Sequence, residues 1–188
     1  KIRDEKLEDW PRTPEAIRRH IAEYYAMITH ADAEMGRVLE ALERRGELEN
    51  TLIVLAGDNG LALGQHGLMG KQNLYDHSVR VPLLMAGPGI PAGGRSDALC
   101  YLYDIYPTLC QLAELPIPET VEGRSLVPAF EGATVRERLM LAYCHQMRGV
   151  RDDRFKLIET VVDDRRTTQL FDLKEDPWEL ENLAGDPL

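Results

Sequence analysis

The sequence has 188 residues, 44% of them hydrophobic and 29% charged, enough to bury a core without metals or disulfides and too apolar for a disordered chain. Thirty-two acids against 22 Lys and Arg leave a formal charge of −10, so phosphate backbones and acidic lipids are repelled, and neither nucleic acid nor a membrane is an expected partner. No apolar run approaches the ~18 residues that would cross a bilayer. The three cysteines, Cys100, Cys110 and Cys144, have no C-x-x-C spacing, which excludes a thiolate zinc knuckle and predicts buried, unreacted thiols. The opening Lys1-Ile2-Arg3-Asp4 has neither an initiator Met nor a signal peptide, so the chain is expected to be a piece of something longer.

A long helix comes first. Thr13 suits the N-cap, Pro14 the first helical position and Glu15 the positive end of the dipole. Ile17, Ile21, Tyr24, Ile28, Met35, Val38, Leu39 and Leu42 recur near the 3.6 period, and Gly46 ends the run after Arg44 and Arg45. This apolar stripe is expected to lie on a core. Residues 51–56 and 81–86 then read as strands without polar alternation, which predicts cover on both faces, as in an α/β sheet. Between them lies a Gly-rich polar stretch, at the strand end where α/β folds place their sites. Residues 104–115 read as a second helix capped by Asp104, with Pro107 in its first turn and Pro116 and Pro118 after it. Short strand-like runs at 139–144, 155–159 and 169–173, separated by turns, predict a small antiparallel sheet. The fold class is therefore α/β followed by an antiparallel lobe, divided at 1–133 and 134–188.

Chemistry concentrates in residues 57–80. Gly57-Asp58-Asn59-Gly60 follows the first strand, where both side-chain oxygens can face a hard cation and the glycines allow close backbone approach. The same tetrapeptide also fits a type I′ hairpin, with residues 61–63 returning as a strand. Gly64-Gln65-His66-Gly67 and Lys71 follow on the same loop. A cation, an ammonium and an imidazole around one cleft would suit a tetrahedral oxyanion such as sulfate or phosphate. A solvent-facing loop in which His66 and Lys71 do nothing is the alternative.

Taken in order, these motifs resemble the C-terminal half of a type I sulfatase of the alkaline-phosphatase-like superfamily. The resemblance runs through Gly57-Asp58-Asn59-Gly60, Gly64-Gln65-His66-Gly67, then Lys71, Tyr75-Asp76, Arg80 and Pro82. It continues through Gly87-Pro88-Gly89, Asp104-Ile105-Tyr106-Pro107-Thr108, Glu122-Gly123-Arg124-Ser125-Leu126, Leu170-Phe171-Asp172-Leu173, Asp176-Pro177, Glu179 and Asn182-Leu183. It implies part of an alkaline-phosphatase-like α/β sandwich with a small antiparallel lobe. By the same resemblance Asp58 and Asn59 ligate Ca²⁺, sometimes Mg²⁺, and Lys71 contacts the sulfate and steadies the leaving oxygen. His66 would lie beside the substrate pocket, and Asp76 and Arg80 would support the loop, with Arg80 able to pair with Asp76. The implied substrate is a sulfated small molecule or carbohydrate, and the implied compartment is periplasmic or secreted.

The sequence departs from the family at its nucleophile. The formylglycine of sulfatases is made from C/S-x-P-x-R, and neither the three cysteines nor Ser78, Ser96 or Ser125 stands in that motif. Formylglycine and an Asp-Asp pair are therefore expected on a preceding N-terminal half, which would be this chain's partner. Calcium takes ~6–8 oxygen ligands, and Asp58 with Asn59 supplies two. His30 reads as structural, and His20, His77 and His145 receive no role. Two other readings stand beside this one, a phosphodiesterase or phosphonate hydrolase of the same superfamily and a non-catalytic remnant module.

Overall fold

A computed structural model of the chain describes residues 4–185; residues 1–3, to which the reading of the chain's start belongs, and 186–188 lie outside the described residues. Helix α1 spans Pro14–Arg44, and Thr13 Oγ1 accepts the Ala16 N–H at 3.2 Å. The chain leaves the helix through Gly46 at φ +69°, a left-handed position that glycine takes without strain. The expected core contact does not form, since no residue of α1 is buried. Ile17, Ile21, Tyr24 and Leu42 are half-covered, whereas Ile28, Met35, Val38 and Leu39 stand exposed. The described residues hold no layer that could cover that stripe.

Strands β1 (Ile53–Ala56) and β4 (Leu83–Ala86) form a two-stranded antiparallel sheet, with Ile53 opposite Ala86 and Ala56 opposite Leu83. The expected cover on both faces is absent among the described residues, because Leu55 and Leu84 remain exposed. The loop between these strands carries a smaller antiparallel pair, β2 (Ala62–Leu63) with β3 (Met69–Gly70), and the short helix α2 (Asp76–Val79). Residues 61–63 therefore do not return onto β1, and the hairpin reading of Asn59-Gly60 fails.

The second helix, α3, is Ile105–Leu112, shorter than expected, and its chain leaves through Glu114 at φ +55°. Asp104 stands at the cap position without capping. Its fully buried carboxylate instead accepts the Tyr101 and Arg124 N–H groups, each at 2.8 Å, and the Arg136 guanidinium at 2.6 and 3.1 Å. Of the cysteines, Cys110 is buried and Cys100 half-covered, but Cys144 is exposed, against expectation, because it sits in the tight turn after β5 at φ +46°.

The antiparallel lobe is a meander of β5 (Leu139–Tyr143), β6 (Met147–Arg151), β7 (Phe155–Val162) and β8 (Arg165–Asp172). Its core joins Ile158 and Phe171 to Leu74, which comes from the Gly-rich stretch. A side chain at Gly149 of β6 would meet Leu74 Cδ1 at 3.3 Å and Leu157 O at 3.1 Å, so glycine there lets Leu74 seat on the sheet. The lobe thereby holds the loop that carries the candidate site.

Candidate functional site

The Asp58 segment is fixed by backbone contacts. Gly57 N–H donates to Pro82 O at 3.1 Å and Gly60 N–H to Ser78 O at 2.9 Å, so residues 57–60 run alongside residues 77–82. The approach is so close that a Cβ on Gly60 would lie 2.0 Å from His77 O. Asp58 is exposed, and its Oδ1 accepts the Asn59 N–H at 2.9 Å. Two hard oxygen donors at a strand end fit part of a calcium shell. Among the described residues no group of three or more His, Cys, Asp and Glu is placed to hold a metal ion.

The β2–β3 pair carries the turn at 64–68, with Gly64 at φ +99° and His66 itself left-handed at φ +53°. His66 stacks on Tyr75, with ring centroids 4.0 Å apart and planes within 7°. Its Nε2 lies 3.1 Å from Trp178 O, which can only accept, so the Nε2 proton is committed there. Lys71 follows β3 directly and is half-buried, and among the described residues no hydrogen bond or ion pair holds its ammonium.

Beyond Lys71 the loop is tied down again. Tyr75 exchanges hydrogen bonds with Gln169, donating at 3.1 Å and accepting at 2.9 Å. The Asp76 carboxylate accepts from Arg151 at 3.2 Å and, in a shorter contact, from Lys156, while its backbone N–H donates to Glu179 Oε2 at 2.6 Å. The suggested Arg80–Asp76 pair exists only at 3.9 Å and on an exposed guanidinium, so Asp76 is held mainly by the lobe. His77 Nε2 and Ser78 Oγ are buried without partners among the described residues. Burial lowers the His77 pKa to about 4, helped by His66 and Lys156 and opposed by Asp76. A cleft of about 320 Å³ opens here, lined by Gln65, His66, His77, Arg80, Trp178 and Glu179 among others.

Asp58, Asn59, His66 and Lys71 thus share one loop system, with His77 between the Asp58 segment and His66, whose ring is 5.7 Å away. Sequence reasoning missed Lys156, Arg151 and Gln169. The available signal was the period-2 alternation of β7, which puts Lys156 on the inward face with Ile158.

The architecture is that of part of an alkaline-phosphatase-like α/β domain, shared with solved structures. BT4656 in complex with its substrate D-glucosamine-2-N,6-O-disulfate superposes with a TM-score of 0.84 at 31% identity, over 91% of this chain and 37% of that one. Phosphonate monoester hydrolase of Agrobacterium radiobacter gives 0.81 at 31% identity, over 95% and 39%. Residues 3–115 match the sulfatase family model, and residues 64–188 match the model for N-sulphoglucosamine sulphohydrolase, C-terminal. Choline-sulfatase of Rhizobium meliloti is 36% identical over 183 residues, covering 93% of this chain and 35% of the relative. N-acetylglucosamine-6-O-sulfatase of Bacteroides thetaiotaomicron is 34% identical over 181 residues, covering 89% and 32%. The chain belongs to the sulfatase family. It spans about a third of the length of these curated relatives.

Proposed function

We propose that the full-length protein is a sulfuric-ester hydrolase and that this chain supplies its leaving-group side. Asp58 and Asn59 offer oxygens to a calcium ion, or to magnesium in its place, with the remaining ligands and the formylglycine on a preceding part of the polypeptide. When bound, these groups supply a fixed positive charge beside the sulfate oxygens and the nucleophile. Lys71 brings its ammonium to the bridging oxygen, where negative charge grows as the ester bond breaks, so it stabilises the transition state more than the ground state. His66, its Nε2 proton given to Trp178, keeps Nδ1 as the nitrogen available to a substrate hydroxyl.

The reading divides the chain into an α/β portion, 1–133, and a C-terminal subdomain, 134–188. The preceding part of the polypeptide would cover the open stripe of α1 and the exposed leucines of β1 and β4. The substrate class is a sulfated small molecule or carbohydrate, in line with the sulfated sugar bound by BT4656. Without a formylglycine precursor, the 188-residue chain by itself turns over no sulfate ester.

The observation that carries this reading is Lys71, a half-buried ammonium without a partner among the described residues, on a loop fastened on both sides. In the full-length protein, Lys71→Ala should lower kcat by about 10²–10³, the usual effect of losing one such donor, with an unchanged melting midpoint. Lys71→Arg should restore only part of the loss, because a planar fork does not sit where a compact point charge fits. A Lys71→Ala protein with near-normal kcat on its best sulfate ester would refute the assignment.

The similarity to phosphonate monoester hydrolase supports a second reading, in which phosphonate or phosphate esters are the preferred substrates. Comparing kcat/KM for aryl sulfates and aryl phosphonates separates the two.

A further inference from the structure

We propose that Lys156 and Glu179 are positioning residues that aim Lys71, so that the C-terminal lobe takes part in catalysis through the loop it holds. The inference rests on the reading of Lys71 given above. Lys156 is fully buried and uses all three N–H donors, on Leu74 O at 3.2 Å, on Glu179 Oε1 at 2.6 Å and on the Asp76 carboxylate. Glu179 is buried too, and its second oxygen takes the Asp76 N–H at 2.6 Å. With Arg151 on Asp76, the cluster holds two positive and two negative side chains and is neutral.

Stability alone does not account for such a cluster, because a well-packed apolar replacement of buried ion pairs is often neutral or better. Direction is what it provides and an apolar core does not. Four bonds with fixed geometry set the backbone at Leu74 and Asp76 against β7 and the chain near Glu179. On the other side of Lys71, His66 is held by Tyr75 and by Trp178 O, the residue next to Glu179. Lys71 stands five residues from each of His66 and Asp76. Its loop is therefore pinned at both ends to one short segment, Trp178-Glu179. An ammonium that must meet one developing oxygen charge needs that fixation, since misplacement by ~1 Å can lower a rate about 10²-fold.

Two variants in the full-length protein test this. Glu179→Gln keeps the size of the side chain but leaves one carbonyl oxygen to serve donors that had two. Lys156→Met combined with Glu179→Gln removes one charge of each sign, so the site stays neutral. Each is made with Lys71 present and in the Lys71→Ala background, and kcat is measured on p-nitrophenyl sulfate. A positioning role predicts a loss of at least about tenfold with Lys71 present, and less than about twofold further loss once Lys71 is gone. Equal fold losses in both backgrounds, or no loss with Lys71 present, would overturn it. If the double variant does not fold, Glu179→Gln decides by the same comparison. A Lys71→Ala protein that keeps its kcat overturns the reading of Lys71 instead, a separate outcome visible in the single variant.

Discussion

Replacing Arg136 by Met keeps most of the aliphatic stem and removes the guanidinium that faces Asp104. Asp104 has no exposed surface and accepts four hydrogen bonds, two from backbone N–H groups at 2.8 Å and two from Arg136 at 2.6 and 3.1 Å. The variant keeps the first two and loses the second, leaving a buried carboxylate without its counter-charge, at a cost of about 3–5 kcal/mol near neutral pH. The cost should depend on pH. Burial pushes the Asp104 carboxyl upward, but Arg136 and the N–H groups of Tyr101 and Arg124 outweigh it and hold the group below its ordinary value. A depressed carboxyl stabilises the fold above the unfolded-state pKa of ~3.9 and loses that contribution as pH falls through the lower folded value. In the variant, burial acts against far weaker opposition, so Asp104 takes up a proton at higher pH and the penalty shrinks. Urea titrations of full-length wild type and Arg136→Met, from about pH 7 to about pH 4, should therefore converge toward acid. A difference below about 1 kcal/mol at pH 7, or one that does not change with pH, would refute the reasoning.

Three further outcomes follow from the loop system. Gly60→Ala places a methyl 2.0 Å from a backbone oxygen that cannot swing aside, so stability should fall by about 1–3 kcal/mol; an unshifted melting midpoint would contradict it. His77, lowered to about 4, contributes stability that is fully present above its ordinary value of 6.5 and is lost as pH falls toward 4. The shift corresponds to at most about 3 kcal/mol at ~1.36 kcal/mol per pH unit, and solvent access brings it to about 1–2. Imidazole titration by NMR should show one histidine titrating near pH 4 that His77→Gln abolishes, and a His77 that titrates near 6.5 would count against this. The isolated chain, if Asp58 and Asn59 are its two oxygen ligands, should bind calcium no more tightly than ~10⁻⁴–10⁻³ M, and micromolar affinity by calorimetry would mean that further ligands lie within it.

Helix α1 was legible because Thr13, Pro14 and Gly46 mark its ends with local chemistry, and its boundaries match to within a residue. The lack of cover over Val38 and Leu39 was not, since periodicity reports which face is apolar and not what lies against it. β1 and β4 were recognisable as strands, but an apolar run does not report which way its partner runs, and the two pair antiparallel. β6 was missed because Arg148 and Gly149 break the apolar pattern, and Gly149 is there for Leu74, a residue 75 positions away. Asp58, Asn59, His66 and Lys71 were singled out by the resemblance of their motifs to a family, where local propensity alone left them divided between a hairpin and a solvated loop. Lys156 was passed over because a single lysine in a strand ordinarily points to water. Its partners, Asp76 and Glu179, are 80 and 23 residues away, and only the fold brings them together.

The bond from Asp76 N–H to Glu179 spans 103 residues. At ~5–20 residues per second, a ribosome takes roughly 5–20 s to travel that distance. Through the first 80 of those residues the loop bearing Lys71 exists without Lys156, and until the last of them without Glu179, and a non-local closure of this kind is slow to form even when its ends are available. Translation that halts before Trp178 would release a polypeptide in which Asp58, Asn59 and Lys71 are made but the loop that carries them is not fastened. Synthesis as far as Glu179 is thus the condition for fastening the loop.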